Sequence, residues 1–268
     1  MAAERSGFRR AVITGASSGI GEAFARALAA AGSDLILVAR REERLQALGR
    51  SLVQAHHVRA EALRADLARR EEVERLAETL ASREDVDLLV NNAGFGILGG
   101  FAGADYGRQL DMVEVHDVAA MRLCRAVLPR MQENRRGAII NMASIAAFIP
   151  MPKNAVYCAS KAFLVAFSRV LALEAHRFGV RVQALCPGFT KSEFHDEPSL
   201  SQTARRLVPG FMWMSAEEVV RESLRALERD RVVCVPGRIN RWMVLLAQTP
   251  LGRRARQLAA DREMLRDS

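Results

Sequence analysis

The sequence is poor in lysine and in tyrosine. Of its 39 basic residues only Lys153, Lys161 and Lys191 are lysines, and only Tyr106 and Tyr157 are tyrosines. A Tyr-x-x-x-Lys pair is a frequent chance match in most proteins. Because both residue types are scarce in this chain, the four-residue spacing of Tyr157 and Lys161 is less readily explained by chance.

Cysteine is also scarce, and its spacing argues against two kinds of site. The four cysteines fall singly in apolar surroundings, with no Cys-x-x-Cys pair: Cys124, Cys158, Cys186 and Cys234. This pattern disfavours a zinc site and a disulfide framework, and it is typical of small core residues in a reducing compartment. The acidic pair Asp196 and Glu197 has no neighbouring ligands that would complete a metal site. We therefore predict no metal.

The chain lacks the apolar segments of exported and membrane proteins. Its first eight residues contain an acid and no apolar core of the kind that a secretory signal has. No uninterrupted apolar stretch approaches the ~20 residues that a membrane-spanning helix needs. The sequence therefore predicts a cytoplasmic protein.

The formal net charge is +8, and one interpretation of such a charge is nucleic-acid binding. The arginines, however, are spread along the whole chain rather than gathered in one arm. Solvated helix faces in an arginine-rich protein explain this distribution better, so we predict no nucleic-acid partner. The 50% hydrophobic content is ordinary for a globular domain.

Strand-like and helix-like segments alternate along the chain. Apolar runs predict seven strands, at 11–14, 35–39, 58–63, 86–90, near 138, 180–186 and 232–235. Helical patterns occupy 20–31, 42–55, 71–81, 106–131, a stretch after 154, and 216–229. Such alternation predicts an α/β fold, a Rossmann-like doubly wound parallel seven-stranded sheet with helices on both faces. We expect one domain, residues 1–237, followed by a helical tail, residues 238–268.

A glycine-rich turn follows the first predicted strand. It reads Thr14-Gly15-Ala16-Ser17-Ser18-Gly19-Ile20-Gly21. Glycine lets a backbone turn tightly and approach a ligand closely, and the helix that begins here offers unpaired N–H groups to a phosphate. In a doubly wound sheet, ligands bind at this carboxyl edge of the strands. A purely structural turn is the alternative, and the place of the turn after the first strand of an alternating pattern favours ligand binding.

A second candidate site joins a strand end to a helix face. Ser144 follows the apolar run that begins near 138, whereas Tyr157 and Lys161 lie one turn apart on the helix after 154. A phenol normally titrates near ~10, and an adjacent ammonium lowers that pKa. Ser144 adds a hydroxyl that can hydrogen-bond a substrate oxygen. The three side chains together suit proton transfer.

The motifs together resemble the compact branch of the short-chain dehydrogenase/reductase superfamily. They are Gly15-x-x-x-Gly19-x-Gly21, Asn91-Asn92-Ala93-Gly94, Ser144, Tyr157-x-x-x-Lys161 and Pro187-Gly188, in the order and spacing of that family. The extended branch also has Tyr-x-x-x-Lys, but it usually carries a different glycine spacing and a longer chain. The resemblance covers roughly residues 9–236.

The resemblance implies a role for each site residue. Tyr157 would act as general acid and base, Lys161 would lower its pKa and bind the nicotinamide ribose, and Ser144 would hold the substrate oxygen. The implied reaction reduces a carbonyl, or oxidises a secondary alcohol, of an apolar small molecule. The implied cofactor-binding residues are Gly15, Ser17, Ser18, Gly19, Ile20, Gly21, Asn91, Asn92, Ala93, Gly94, Tyr157, Lys161, Pro187, Gly188 and Thr190.

The end of the second strand bears on which cofactor binds. NAD enzymes of this fold usually place an acid there, for the ribose 2′-hydroxyl. This chain reads Val38-Ala39-Arg40-Arg41 instead, and a guanidinium at Arg40 suits a 2′-phosphate. We therefore predict NADP, with Asp66 and Leu67 beside the adenine as the resemblance implies.

His116 departs from the family pattern. Many members have an asparagine at this place, which helps a water connect the active-site lysine to solvent. A lone histidine is more often a packing residue, but imidazole donates and accepts hydrogen bonds and titrates near neutrality. We predict that His116 serves the relay. The alternative is a dinucleotide-binding regulatory or scaffold protein with weak or no turnover.

Two further regions complete the sequence-based expectations. Residues 189–214 resemble the substrate lid of the family, with an apolar wall at Phe189, Phe194, Phe211, Met212, Trp213 and Met214.

The tail is basic, with seven arginines against three acids. A basic amphipathic helix can lie on an anionic membrane, although packing on the domain or on a partner is the commoner fate. The resemblance implies a homodimer or homotetramer, formed through the helices near 106–131 and 154–178.

Overall fold

The computed structural model describes residues 7–97, 99–191, 208–252, 254 and 257. The strands are β1 (Arg10–Thr14), β2 (Asp34–Ala39), β3 (Ala60–Arg64), β4 (Val86–Asn91), β5 (Gly137–Met142), β6 (Val180–Leu185), β7 (Thr190–Lys191), β8 (Met214–Ser215) and β9 (Val233–Cys234). Seven of them form one parallel sheet in the order β3-β2-β1-β4-β5-β6-β9. The predicted fold class is confirmed.

Helices cover both faces of this sheet. They are α1 (Gly19–Ala30), α2 (Glu42–His56), α3 (Arg70–Ala81), α4 (Tyr106–Val113), α5 (Ala119–Glu133), α6 (Ala155–His176), α7 (Ala216–Glu228) and α8 (Arg238–Gln248). Helices α1, α2 and α7 contribute to the core on one face, and α3, α5 and α6 to the core on the other. The two cores explain why β4 and β5 are buried along their whole length.

The strand order positions the site. From β1 the chain moves outward through β2 to β3 and then returns to the other side of β1 with β4. The connections after β1 and β4 therefore leave in opposite directions, which opens a crevice at the carboxyl ends of these two strands. Both loops that carry the glycine and asparagine motifs lie at this crevice.

The structure differs from the expected elements in three places. The third strand begins at Ala60 rather than at residue 58, where Val58 is buried outside the strand. The long helix near 106–131 is interrupted by a π-helical turn, Glu114–Val118. A two-residue pairing of β7 with β8 was not expected and joins the two ends of the predicted lid region.

One helix of the described part, α6, has the length and the mean hydropathy of a membrane-crossing segment. Lys161 lies near its N-terminal end and is buried, and the helix packs against β5 and β6. Predictions for Phe194, Asp196, Glu197 and the end of the tail concern residues outside the described part. At the start of the tail, α8 does form, and Trp242 is 63% exposed.

Candidate active site

The glycine turn after β1 forms a tight cradle at the start of α1. Gly15 has φ of +66° and Gly19 has φ of +58°, a backbone conformation that side chains other than glycine rarely adopt. A Cβ atom on Gly21 would lie 2.3 Å from the carbonyl oxygen of Gly15. The first turn of α1 therefore sits directly against the loop, and Ile20 packs on the core beside it.

Thr14 ties this cradle to the loop after β4. Its Oγ1 atom accepts hydrogen bonds from the backbone N–H groups of Asn92 and Ala93, both at 3.0 Å. The Asn92 side chain donates to the backbone oxygen of Thr14 at 2.9 Å and to that of Gly15 at 3.3 Å. The two loops at the crevice are thus one hydrogen-bonded unit.

Asn91, predicted to line the cofactor cleft, points into the protein. Its Nδ2 atom donates to Asn141 Oδ1 at 2.9 Å, and Asn141 Nδ2 in turn donates to Ser168 Oγ at 2.9 Å. All three residues are buried. This chain of bonds joins β4, β5 and α6 beneath the site, so the Asn91 side chain supports the cleft from below.

Ser144, Tyr157 and Lys161 meet beside the end of β5. Ser144 caps a short 3₁₀ turn and accepts a hydrogen bond from the Ala146 N–H at 3.1 Å. A side-chain hydrogen bond joins it to Tyr157. Lys161 is buried, its Nζ atom lies 5.6 Å from the centroid of the Tyr157 ring, and it donates to the Met142 carbonyl at 2.8 Å. The three predicted side chains are therefore adjacent.

The electrostatics of this trio differ from the expectation for the tyrosine. Burial raises the pKa of Tyr157 to about 12, and the hydrogen bond with Ser144 acts in the opposite direction. Burial also lowers the pKa of Lys161 to about 8. Burial of the phenol outweighs the hydrogen bond with Ser144, and the role of Lys161 in lowering the Tyr157 pKa stays a prediction. Tyr157 is consequently neutral and carries its proton at neutral pH.

His116 is fully engaged within the protein. Its Nε2 atom accepts from the Phe95 N–H at 3.1 Å, and Nδ1 lies 3.0 Å from Ser160 Oγ. Because the Ser160 hydroxyl donates to the Tyr157 carbonyl at 2.9 Å, Nδ1 is assigned the ring proton and donates to that oxygen. Burial, followed by the charge of Lys161, lowers the pKa of His116 well below its usual value. The ring is therefore neutral, and its place in a relay stays a prediction.

Two arginines follow β2 at the rim of the cradle. Arg40 is exposed and forms no hydrogen bond among the described residues. Arg41 reaches back over the glycine turn, where its Nη2 atom donates to Ser17 Oγ at 3.0 Å and to Ser18 Oγ at 2.8 Å. Sequence analysis singled out Arg40, whereas the guanidinium that contacts the predicted phosphate loop is that of Arg41.

The remaining predicted cofactor residues lie around the same crevice. Asp66 and Leu67 follow β3, where Leu67 is buried and Asp66 accepts from the Ala68 N–H at 3.2 Å. Gly94 is packed so closely on His116 that a Cβ atom would lie 2.7 Å from Nε2.

On the far side of the crevice, Pro187 accepts a hydrogen bond from the Ile145 N–H at 3.0 Å. Thr190 is buried and donates to the Gly188 carbonyl at 3.1 Å. Gly188 itself packs on Asn240 of α8, whose Oδ1 atom would be 2.4 Å from a Cβ atom at that position. This loop therefore lies within reach of the tyrosine and serine described above, since Ile145 directly follows Ser144.

These residues fit a dinucleotide. The positive φ of Gly15 and Gly19 and the close packing of Gly21 bring the N-terminus of α1 to the loop, where its N–H groups suit a pyrophosphate, and Arg41 adds positive charge at the rim. Among the described residues there is no cluster of three metal-ligating side chains. The crevice therefore suits a phosphate-containing organic cofactor held by backbone and arginine groups.

Tyr157 also lines a pocket that residues around 97–112 and 153–157 form. Its apolar walls include Ile97, Phe101, Met112 and Val156. Gln109 adds a buried amide, whose Nε2 atom donates to the Phe101 carbonyl at 3.0 Å. The pocket beside the tyrosine therefore combines apolar side chains with the polar residues Gln109, Lys153 and Asn154.

The predicted lid contributes part of an apolar wall. The rings of Phe189 and Trp213 lie 5.5 Å apart between centroids, whereas Phe211 is 72% exposed. Met214 belongs to β8 and is hydrogen-bonded to Phe189 through the backbone, at 3.0 Å. The two described ends of the lid region are therefore held together at this point.

Sequence reasoning missed three groups that organise the site: Thr14, Asn141 and Arg41. The signal for Thr14 was its place as the last residue of β1, directly before the glycine turn. Asn141 is a polar residue within a strand buried on both faces, which is itself a sign of a specific partner.

Comparison with known proteins is consistent with this geometry. The family model described as short chain dehydrogenase matches residues 9–202. Nodulation protein G of Rhizobium sp. (strain N33) is 38% identical over 193 residues, which cover 70% of this chain and 76% of that protein. A short-chain dehydrogenase from Sphingobium yanoikuyae, solved in complex with NADPH, is 33% identical with a TM-score of 0.82 and covers 94% of this chain and 96% of its own.

Some relatives have names that bear on activity. Human inactive hydroxysteroid dehydrogenase-like protein 1 is 32% identical over 203 residues, which cover 75% of this chain and 62% of that protein. The chain therefore spans less than two thirds of the length of this relative.

Proposed function

The chain belongs to the short-chain dehydrogenase family of oxidoreductases, and from this premise we propose that it reduces a carbonyl group of an apolar small molecule with NADPH, or oxidises the corresponding alcohol with NADP. The observation that carries the proposal is the meeting of Ser144, Tyr157 and Lys161 at the crevice that the glycine cradle opens. The nicotinamide, when bound, supplies the hydride.

The residues of this chain have complementary tasks in that reaction. Tyr157 is neutral at neutral pH, so it holds the proton that carbonyl reduction consumes and donates it to the substrate oxygen. Ser144 places a hydroxyl beside the phenol and stabilises the charge that develops on the same oxygen. Lys161 stands one turn from Tyr157 and would hold the nicotinamide ribose hydroxyls when the cofactor binds.

The preference for NADP rests on the two arginines after β2. A 2′-phosphate adds a dianion at the end of that strand, and a planar guanidinium binds phosphate through two parallel hydrogen bonds. Arg41 already contacts Ser17 and Ser18 of the phosphate loop, and Arg40 is exposed next to it. No acid stands at the position that would favour a free 2′-hydroxyl.

An apolar substrate is supported by the pocket beside Tyr157. Apolar side chains line part of its walls, beside the polar Gln109, Lys153 and Asn154, and the ring pair of Phe189 and Trp213 adds apolar surface at the lid region. Burial of a hydrocarbon substrate against such a wall contributes roughly 25 cal/mol per Å² of apolar surface. The substrate class that we propose is a ketone with apolar substituents, such as a 3-oxoacyl thioester or a steroid-like compound.

The test is a panel of ketones, aldehydes and 3-oxoacyl thioesters, assayed with NADPH and with NADH at equal concentration. We expect oxidation of NADPH with at least one apolar carbonyl, faster than oxidation of NADH. Faster turnover with NADH would overturn the choice of cofactor. Absence of turnover with both cofactors would contradict the proposed reaction.

A second candidate function is a dinucleotide-binding regulatory or scaffold protein without turnover. Two observations favour it, the word "inactive" in the name of a human relative and the presence of His116 where the family often has asparagine. This candidate predicts that NADPH binds, as followed by its fluorescence, while no member of the panel is reduced. The same experiment therefore separates the two functions.

We further propose a cytoplasmic homodimer or homotetramer. The four cysteines are all buried and free, as is usual in a reducing compartment. On α6, Leu173 is 80% exposed and Val170 is 55% exposed, which is costly for a helix that faces only water. Contact of the tail with an anionic membrane is the less favoured use of α8, and failure to sediment with anionic vesicles would remove it.

A further inference from the structure

Asp117 is a buried carboxylate that the proposed chemistry has not yet used. It lies on the π-helical turn, directly after His116, and is only 9% exposed. Its Oδ1 atom makes no hydrogen bond to any described residue. Burial of a carboxylate oxygen without a hydrogen-bond partner is unfavourable, so such an atom in a folded protein calls for an explanation.

The charged group that interacts with Asp117 is Lys161. The π-helical turn packs against α6, and the hydrogen bond between His116 and Ser160 at 3.0 Å joins the residues directly before Asp117 and Lys161. In this arrangement each of the two charged residues also affects the pKa of the other through space. Within the described residues they form no direct ion pair, and the only hydrogen bond of the Lys161 ammonium is to the Met142 carbonyl. Asp117 therefore acts on Lys161 as a nearby charge rather than as a bonded partner.

Among the described residues whose charge acts on Lys161, Asp117 is the one that supplies negative charge near neutral pH. His116, on the same turn as Asp117, is neutral because burial lowers its pKa. Tyr157, on the helix of Lys161, has a pKa raised to about 12, as has Cys186 at the end of β6, in both cases by burial. Asp117, with a pKa raised by burial to about 6, is mostly ionised at pH 7.

We propose that Asp117 is a positioning residue, whose carboxylate supplies the negative charge that keeps Lys161 an ammonium beside Tyr157. The proposal rests on the proposed function, since it assigns a task within the same site. It explains why a buried carboxylate oxygen without a hydrogen-bond partner lies on the π-helical turn, which packs against the helix that carries Lys161. Burial alone drives the lysine toward the neutral form, and the carboxylate opposes that tendency.

Asp117→Asn removes the charge with little change of shape, and Glu114→Gln is the matched control. Glu114 lies on the same turn but forms an exposed ion pair with Arg70 at 3.0 Å. We expect the alkaline midpoint of NADPH binding to move downward by about one pH unit in Asp117→Asn, because loss of an opposite charge lowers the pKa of the lysine. The control is expected to keep the wild-type midpoint, and Asp117→Glu to restore it.

Binding is followed by NADPH fluorescence between pH 6 and 10, and kcat/KM is measured over the same range where turnover exists. A merely structural role for Asp117 would weaken binding equally at all pH values and leave the midpoint in place, and that result overturns the proposal. The binding titration needs no turnover. If the wild type reduced no carbonyl but the midpoint still moved, the proposed function would fail and the assignment of Asp117 would stand.

Discussion

The Nζ atom of Lys161 lies 5.6 Å from the centroid of the Tyr157 ring, one helical turn further along α6. The ammonium thus approaches the ring from the protein side, with its hydrogen bond to Met142 fixing it to the end of β5. Ser144 approaches the same tyrosine from the neighbouring turn. This arrangement leaves the tyrosine as the group that can meet a substrate in the pocket beside it.

Replacement of Tyr157 by phenylalanine removes the proton donor and keeps the ring. We expect kcat to fall by roughly a hundredfold or more, because general acid catalysis contributes about that much. NADPH affinity should stay close to that of the wild type. The matched control is Tyr106→Phe at the other tyrosine, which is 68% exposed at the start of α4. Equal activity of the two variants would contradict the assigned role.

Removal of the two guanidinium groups after β2 tests the cofactor preference. We expect Arg40→Ala and Arg41→Ala each to raise KM for NADPH by about tenfold or more, as loss of a charge-assisted hydrogen bond of ~1.5–3 kcal/mol implies. KM for NADH should change little, since NADH has no 2′-phosphate. Arg26→Ala, which breaks an exposed ion pair with Glu22 on α1, serves as control. An equal loss for both cofactors would argue against 2′-phosphate recognition.

The fold was predictable because its signals are local. Strands such as β4 and β5 are buried on both faces and read as apolar runs, and the helices between them show a polar face. The π-helical turn has no such signal, since Glu114–Val118 looks helical in sequence. The pairing of Thr190 with Met214 joins two-residue strands far apart in the chain, which no local pattern indicates.

The site was predictable where one residue type can do the task. The glycines of the turn and the Tyr-x-x-x-Lys pair belong to this class. Contacts decided by tertiary packing were not predictable: Arg40 and Arg41 are the same residue type side by side, and only the direction of the chain after β2 turns Arg41 onto Ser17. The partners of His116 were hidden for the same reason, since Phe95 and Ser160 come from two other segments.

Gly21→Ala tests the close packing of the glycine cradle. A Cβ atom there would lie 2.3 Å from the Gly15 carbonyl oxygen, so the loop or the first turn of α1 must move. We expect a loss of NADPH affinity of at least tenfold and a lower melting temperature. Gly103→Ala is the control, because a Cβ atom at that position meets nothing within 4 Å. Unchanged binding in Gly21→Ala, measured by fluorescence titration, would count against the cradle as the pyrophosphate site.

The buried ammonium makes a specific prediction for stability against pH. Lys161 has a pKa of about 8 in the folded protein and a usual value of 10.5, so between these values the unfolded chain binds more protons. The free energy of unfolding therefore rises with pH between these two values. Lys161 contributes up to about 1.4 kcal/mol to that rise for each pH unit. Other groups also titrate in this pH range. The wild type is therefore compared with Lys161→Met, which lacks only the contribution of the lysine.

Urea unfolding at pH 8, 9 and 10 measures the free energy of unfolding of each protein. We expect the value for the wild type to increase relative to that for Lys161→Met as the pH rises. Below pH 8 the difference between the two proteins should be constant, because the lysine is then protonated in both the folded and the unfolded state. A difference independent of pH from 8 to 10 would mean that the lysine is not held in a site that disfavours its charge.

The exposed apolar face of α6 gives the last prediction, which concerns assembly. Leu173 is 80% exposed there, and on α8 Leu246 is 61% exposed. If the subunits join through α6, Leu173→Arg places a charge in the buried interface and weakens the oligomer, whereas Leu246→Arg leaves it intact. Light scattering after size-exclusion chromatography measures the mass of each variant. Dissociation by Leu246→Arg alone would instead assign the interface to the C-terminal helix, and an unchanged mass in both variants would exclude each face as the interface.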